Sequence, residues 1–449
     1  MELIKRHIIL FTLFFIGVIV LFSSLNVKWG GNRWNSLIRD DAKGYYAYLP
    51  AVFIYQDLSF NFYDSVENSK YHYDKLEYDY RYKYKGGVVN KYYVGTAIAE
   101  MPFFLLAHIL SKPLGYPSDG YSKIYWILIG YAAIFYMLLG LFFLAKILQL
   151  YELKDALISI VLFSITLGTH LFYYTSFEPG MSHVYSFAFV SWFMFLVKKY
   201  FVKPDEVSII LIAALIGIII LIRPVNGLVV LMIPFLAGSW STLKSGFQFL
   251  IKKRLLDLII GTLVILAIIA VQLIIYKVQT GYFIVYSYSQ EGFNFLDSHF
   301  IDILFSYKKG LFLYTPLTFV SLIGGYFMYK KSKYELYTLL AFFFILSYVM
   351  SSWWNWWYGG SFSARVYVEY LPIFAILLAY ILKELTIVKW RNRFTILLFI
   401  LIISNQKQTY LYRIGYIHWA EMTKEKYWES LIYPIHWWYY DLRNKVLEK

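Results

Sequence analysis

The chain has 449 residues, of which 59% are hydrophobic, 22% aromatic and only 16% charged. Soluble domains carry roughly 25% charged residues, so a water-soluble fold is excluded; with no cysteine, so are disulfides, thiolate metal sites and a cysteine nucleophile. The net charge of +14 is not by itself a nucleic-acid signature, because Lys and Arg flank the apolar runs as membrane topology requires.

A membrane-crossing helix needs about 20 mostly apolar residues, and the runs here are continuous rather than alternating, which excludes a β-barrel. The composition therefore predicts an all-α polytopic membrane protein. Behind Lys5 and Arg6, residues 8–25 form a first, uncleaved span: the run is long for a signal-peptide core and lacks a small-residue cleavage site. Further spans are expected at 124–146, 157–174, 183–201, 207–222, 225–240, 256–276, 311–329, 335–351, 366–382 and 394–404.

Segment 97–111 is apolar but short, and the charges decide its place. If it crossed, Lys198, Lys199, Lys203, Lys244, Lys252, Lys253, Arg254, Lys330, Lys331 and Lys333 would face outward, and the short loops with almost no basic residue would face inward. The positive-inside bias requires the reverse. Segment 97–111 is therefore predicted to lie in the outer interface. This gives eleven spans, a cytoplasmic N-terminus and an outer C-terminus. One domain, 1–404, then carries an outer loop at 26–123, and an aromatic tail, 405–449, lies on the same outer face as 277–310. Trp353, Trp354, Trp356, Trp357, Trp437 and Trp438 suit the headgroup belt.

Four constellations could carry chemistry. Asp40 and Asp41 follow the first span. Asp41 opens a helical pattern, so it reads either as a helix cap or as a general base at the water–lipid boundary. Gly95 and Thr96 open the interfacial segment, with Thr96 expected as its cap; Glu100 lies within it, a second-rank acid. The turn Glu178-Pro179-Gly180-Met181-Ser182-His183 reads as a solvated loop, or as an acid or metal pair facing the same cavity; two ligands alone are few for a metal. Arg223, Lys308, Lys309 and Arg365 are outer-face cations against the topological bias. They either snorkel to headgroups or bind a lipid-linked phosphate, a task that suits the planar donor fork of Arg365 best. Mid-span charges are nearly absent, which argues against an ion-coupled transporter.

Taken together, these segments resemble the integral-membrane glycosyltransferases of the C-type (GT-C) fold, nearest to the dolichyl-phosphate-mannose–protein mannosyltransferase-like and aminoarabinose-transferase-like branches. The resemblance rests on the first outer loop with Gly44-Tyr45-Tyr46-Ala47-Tyr48-Leu49, on the segment from Gly95 to Phe104, and on Arg223-Pro224, Lys309-Gly310-Leu311-Phe312 and Ser363-Ala364-Arg365. It runs over about 30–380. It implies a catalytic Asp at Asp41 or Asp40, juxtamembrane helices in the first outer loop, a polyprenyl-phosphate sugar donor and a lipid, glycan or protein acceptor. It also implies a bacterial cytoplasmic membrane as location and no nucleic-acid partner. Some members of such families use a divalent metal and others none, so no cofactor is assigned. A glycolipid flippase and a non-catalytic envelope-assembly protein are the competing readings.

Overall fold

The computed structural model describes residues 7–28, 34, 37–71 and 78–432. Lys5, Arg6, Trp437 and Trp438 lie outside them. The chain is 72% helical, as the continuous apolar runs predict. Among the described residues, five helices are long and apolar enough to cross a membrane: Ile8–Leu25, Lys123–Leu150, Leu255–Thr280, Lys333–Ser351 and Arg365–Glu384.

The bundle is assembled through small residues. Helix α1 (Ile8–Lys28) is followed by α2 (Asp41–Pro50), α3 (Gly95–Ser111) and α4 (Lys123–Leu150). Next come α5 (Asp155–Leu167), α6 (Leu171–Ser176), α7 (Ser182–Val202) and α8 (Ile209–Ile222). Gly140 of α4 sits against Phe187 and Ala188 of α7. Further on, α11 (Leu255–Thr280) meets α8 where Gly261 faces Ala213 and Gly217 faces Ile268. Between apolar helices that gain little from leaving lipid, such close approach is what supplies the packing energy.

Several expected spans are broken. Residues 225–240 form a 3₁₀ segment (Pro224–Met232) and α9 (Ile233–Ala237). The chain then bends by 116° at Gly238, φ +77°, into the amphipathic α10 (Trp240–Lys253). Residues 311–329 follow α12 (Phe300–Phe305) as three short helices, α13 (Leu311–Tyr314), α14 (Pro316–Ser321) and α15 (Gly324–Lys331). Pro316 lacks the N–H that an uninterrupted helix would need. The last elements are α16 (Lys333–Ser351), a 3₁₀ turn Arg365–Tyr370, α17 (Leu371–Glu384), α18 (Val388–Arg413) and α19 (Lys424–Ile432).

One element was not expected. The segment between α2 and α3 holds a hairpin, β1 (Arg81–Tyr84) paired antiparallel with β2 (Gly87–Asn90), Tyr84 opposite Gly87. Its two turn residues, Lys85 and Gly86, both have positive φ (46° and 87°), as a two-residue hairpin turn demands. The segment between α1 and α4, the bundle and the segment after α18 share one hydrophobic core, from Ile16 through Tyr46 and Tyr125 to Leu411 and Tyr427.

Polar clusters occupy both ends of the bundle. At one, Tyr151 and Tyr380 donate to Glu335 at 2.9 and 2.7 Å, and Lys383 donates to Glu152 at 2.9 Å. At the other lies the cavity described next.

Candidate functional site

Two features fix Asp41. It is the first residue of α2, after Asp40, whose φ of +51° is rare for a residue with a Cβ. The cap reading of Asp41 is corrected: Asp41 is the first residue of the helix itself, and Asp40, at the cap position, makes no side-chain cap bond. The second feature is the hairpin. Asn90, at its end, donates to Gly44 O at 2.6 Å and accepts from the Tyr92 N–H at 3.0 Å. Tyr92 can then lie over Gly44, where any Cβ would strike its ring. This brings the Tyr92 hydroxyl to Asp41 Oδ1 at 2.6 Å, with Tyr78 donating to the same oxygen at 3.2 Å.

The other oxygen faces a chain segment more than 300 positions away. Arg365 Nη2 donates to Asp41 Oδ2 at 2.6 Å. Burial alone would raise the Asp41 carboxyl; the Arg365 guanidinium and the Tyr92 hydroxyl outweigh it and hold the group at about 2. The loop bearing Arg365 is clamped from below. Tyr174 donates to Phe362 O at 3.1 Å and accepts from its N–H at 3.0 Å, and Lys309 Nζ donates to Ser361 O.

Asp41 and Arg365 share a cavity of about 970 Å³ with Asp40, Arg39, Lys91, Arg223 and Arg413. Five cations line it against three carboxylates, the third being Glu291, which binds Lys91 at 2.6 Å. Its rim is aromatic, with Tyr286, Tyr288, Phe293, Trp353, Trp354 and Trp419. An apolar groove of about 430 Å³ runs on from it, sharing Pro224, Val225 and Phe293 with the cavity wall and ending at Leu231 and Val349.

The structure thus brings Asp40, Asp41, Arg223 and Arg365 together. It does not bring the other singled-out residues to the cavity wall. Lys309 is buried, and its loss of water pulls the amine down to about 7; it clamps the Arg365 loop. Lys308 sits 3.4 Å over the Trp357 ring. Glu178 lies behind the wall, accepting from Tyr173 at 2.9 Å and pairing with Arg39 at 3.5 Å. His183 is spent on Glu369 at 3.1 Å, the same oxygen that holds Arg223 at 2.8 Å. Glu100 is fully buried, with no hydrogen bond to either oxygen, and burial drives its pKa upward. Thr96 does not cap α3: it lies inside the helix with its hydroxyl buried and unbonded.

Among the described residues, no three His, Asp or Glu side chains converge on a point where a metal could bind. Glu178 and His183 serve separate partners and do not fit a divalent ion. Sequence reasoning gave no role in the site to Tyr78, Tyr92 or Glu369, although Glu369 lies in a segment carrying the resemblance, nor to the segment from Tyr412 to Trp419, which lines one side of the cavity.

Comparison with protein-family models, curated proteins and solved structures found no match.

Proposed function

We propose that the protein is a GT-C-type glycosyltransferase that moves a sugar from a polyprenyl-phosphate donor to an acceptor hydroxyl. On this reading the reaction takes place at the outer face of a bacterial cytoplasmic membrane, and eleven segments cross that membrane. The observation that carries the reading is the meeting of Asp41 and Arg365 in one cavity. One is a carboxylate able to take a proton; the other is a planar cation able to hold a leaving phosphate.

The chemistry closes with groups already on the wall. Asp41 takes the acceptor O–H proton, and the oxygen bonds to the anomeric carbon from the face opposite the phosphate. The sugar–phosphate C–O bond breaks, and its electron pair leaves on the lipid phosphate. Arg365 and Arg223 stabilise that charge. The adjoining apolar groove supports a donor with a hydrocarbon tail, and holding two substrates in register supplies much of the remaining rate. No step is routed through a metal.

The test is transfer by the purified protein from a radiolabelled polyprenyl-phosphate sugar, read as release of polyprenyl phosphate. Asp41→Asn should lower kcat by about 10²–10⁴-fold while the protein stays folded. Wild-type turnover by the folded variant would remove Asp41 from the chemistry. A groove joined to a polar cavity also suits a glycolipid flippase. Translocation that survives Asp41→Asn and Arg365→Ala, with no transfer by the wild type, would favour that alternative.

A further inference from the structure

One guanidinium has two tasks in the site just described. As the phosphate ligand, Arg365 must turn its donors to the donor lipid. In the structure, its Nη2 is held by Asp41 Oδ2 at 2.6 Å.

A guanidinium grips a phosphate along one of two edges, Nε with Nη2 or Nη1 with Nη2, and both include Nη2. The Nε–H of Arg365 is buried and bonds to nothing, so the first edge is closed to a ligand entering the cavity. The second edge ends on the nitrogen that Asp41 occupies. A phosphate placed there would put two anions on one nitrogen, and like charges at such short range repel.

Among the described residues, Arg365 is the cation paired with Asp41. Arg39 is held by Glu178 at 3.5 Å, and Arg413 lies 4.2 Å over the Phe177 ring. Arg223 adds its charge beside the phosphate without becoming Asp41's partner. Lys91 is paired with Glu291 at 2.6 Å, and Arg223 with the fully buried Glu369 at 2.8 Å. Tyr45 also faces Asp41, as a neutral phenol. Tyr78 and Tyr92 hold the far oxygen, Oδ1, so Oδ2 can be released without the carboxylate turning away.

We propose that Asp41 and the phosphate of the lipid-linked donor compete for the Arg365 guanidinium, so that donor binding itself uncovers the base. This rests on the transferase reading of the site. Without donor, Asp41 is an ion-paired carboxylate and a poor proton acceptor. With donor, the guanidinium turns to the phosphate, Oδ2 is freed, and the acceptor proton has somewhere to go. The acceptor is therefore activated only when a sugar is in place.

The test is binding of decyl phosphate, which has a phosphate and a tail but no sugar to transfer, to the full-length protein in lipid nanodiscs. Competition predicts that Asp41→Asn binds decyl phosphate at least about fivefold tighter than wild type, the low end of ordinary site-to-site coupling. Equal or weaker binding by the folded variant would overturn competition and leave the transferase reading standing. Failure of both proteins to bind would instead overturn the phosphate site, and the proposal with it. Should the variant not fold, a structure of the wild type with decyl phosphate decides. Arg365 on the phosphate and Asp41 Oδ2 beyond hydrogen-bond reach is the expected result; an intact Asp41–Arg365 pair beside a bound phosphate would overturn it.

Discussion

Glu67, between α2 and α3, shows what burial does to a carboxyl that lacks a partner like Arg365. It is buried; its Oε2 accepts from Tyr80 at 3.0 Å and Tyr121 at 3.1 Å, while Oε1 bonds to nothing. Burial pushes it up from 4.5 to about 7, against the pull of Lys43 and the two phenols. The folded protein therefore keeps a proton that the unfolded chain has already lost between those values, so stability falls as pH rises from about 4.5 to about 7. Glu67→Gln removes this loss. The variant should melt at least roughly 2 °C higher than wild type at pH 8 and close to it at pH 5; a shift of equal size at both would show that charge is not the cause. Legibility at this scale depended on chemistry. Asp41 and Arg365 could be read because ionised groups are scarce beside apolar runs. Tyr78 and Tyr92 could not, being two among 45 tyrosines; their roles arise only when the hairpin folds over α2. Lys309 looked like a ligand because its charge was legible and its burial was not.

At the level of elements, α3 meets the end of α8 through a glycine. A Cβ on Gly95 would strike the backbone of Leu221 and Ile222, the two residues before Arg223, and backbone yields less than a flexible side chain. Gly95→Ala should destabilise the protein by about 1–3 kcal/mol, read as a lower melting temperature in detergent. Gly292→Ala is the control: its Cβ would meet nothing closer than the Tyr286 hydroxyl at 3.7 Å. A Gly95→Ala protein as stable as the control would mean that the two helices are not locked there. The helices themselves were legible, because long apolar runs have few other solutions in lipid. Their breaks were not, although the signals were present. Pro316 follows α13, Gly238 follows α9, and Lys85-Gly86 is a turn pair between Arg81–Tyr84 and Gly87–Asn90. At Pro316 and Gly238 a run of hydrophobic residues outweighed the local backbone signal; the hairpin's turn pair was not read at all.

For the whole molecule, the side on which each basic cluster lies depends on whether the number of crossings before it is odd or even. Among the described residues, five helices pass on length and hydropathy, and the bent pair Pro224–Ala237 and Trp240–Lys253 makes a sixth if it counts as one span. Others predicted from sequence are shorter, broken or charged at one end, such as α7 with Lys198 and Lys199. Such segments can still lie at membrane depth when neighbours satisfy their backbone. Their number therefore has to come from sidedness. Because the chain contains no cysteine, single cysteines report it cleanly. Ser65, in the outer loop, and Ser245, on the basic face of α10, are both exposed. Five crossings are expected between them, at 124–146, 157–174, 183–201, 207–222 and 225–240. An impermeant maleimide added to intact cells should label Ser65→Cys and leave Ser245→Cys untouched until the membrane is opened. Labelling of both from outside would make the number of crossings even, either because 97–111 spans or because 225–240 turns back at its bend. In that event the positive-inside argument fails, and the face assigned to the Asp41 cavity has to be decided again.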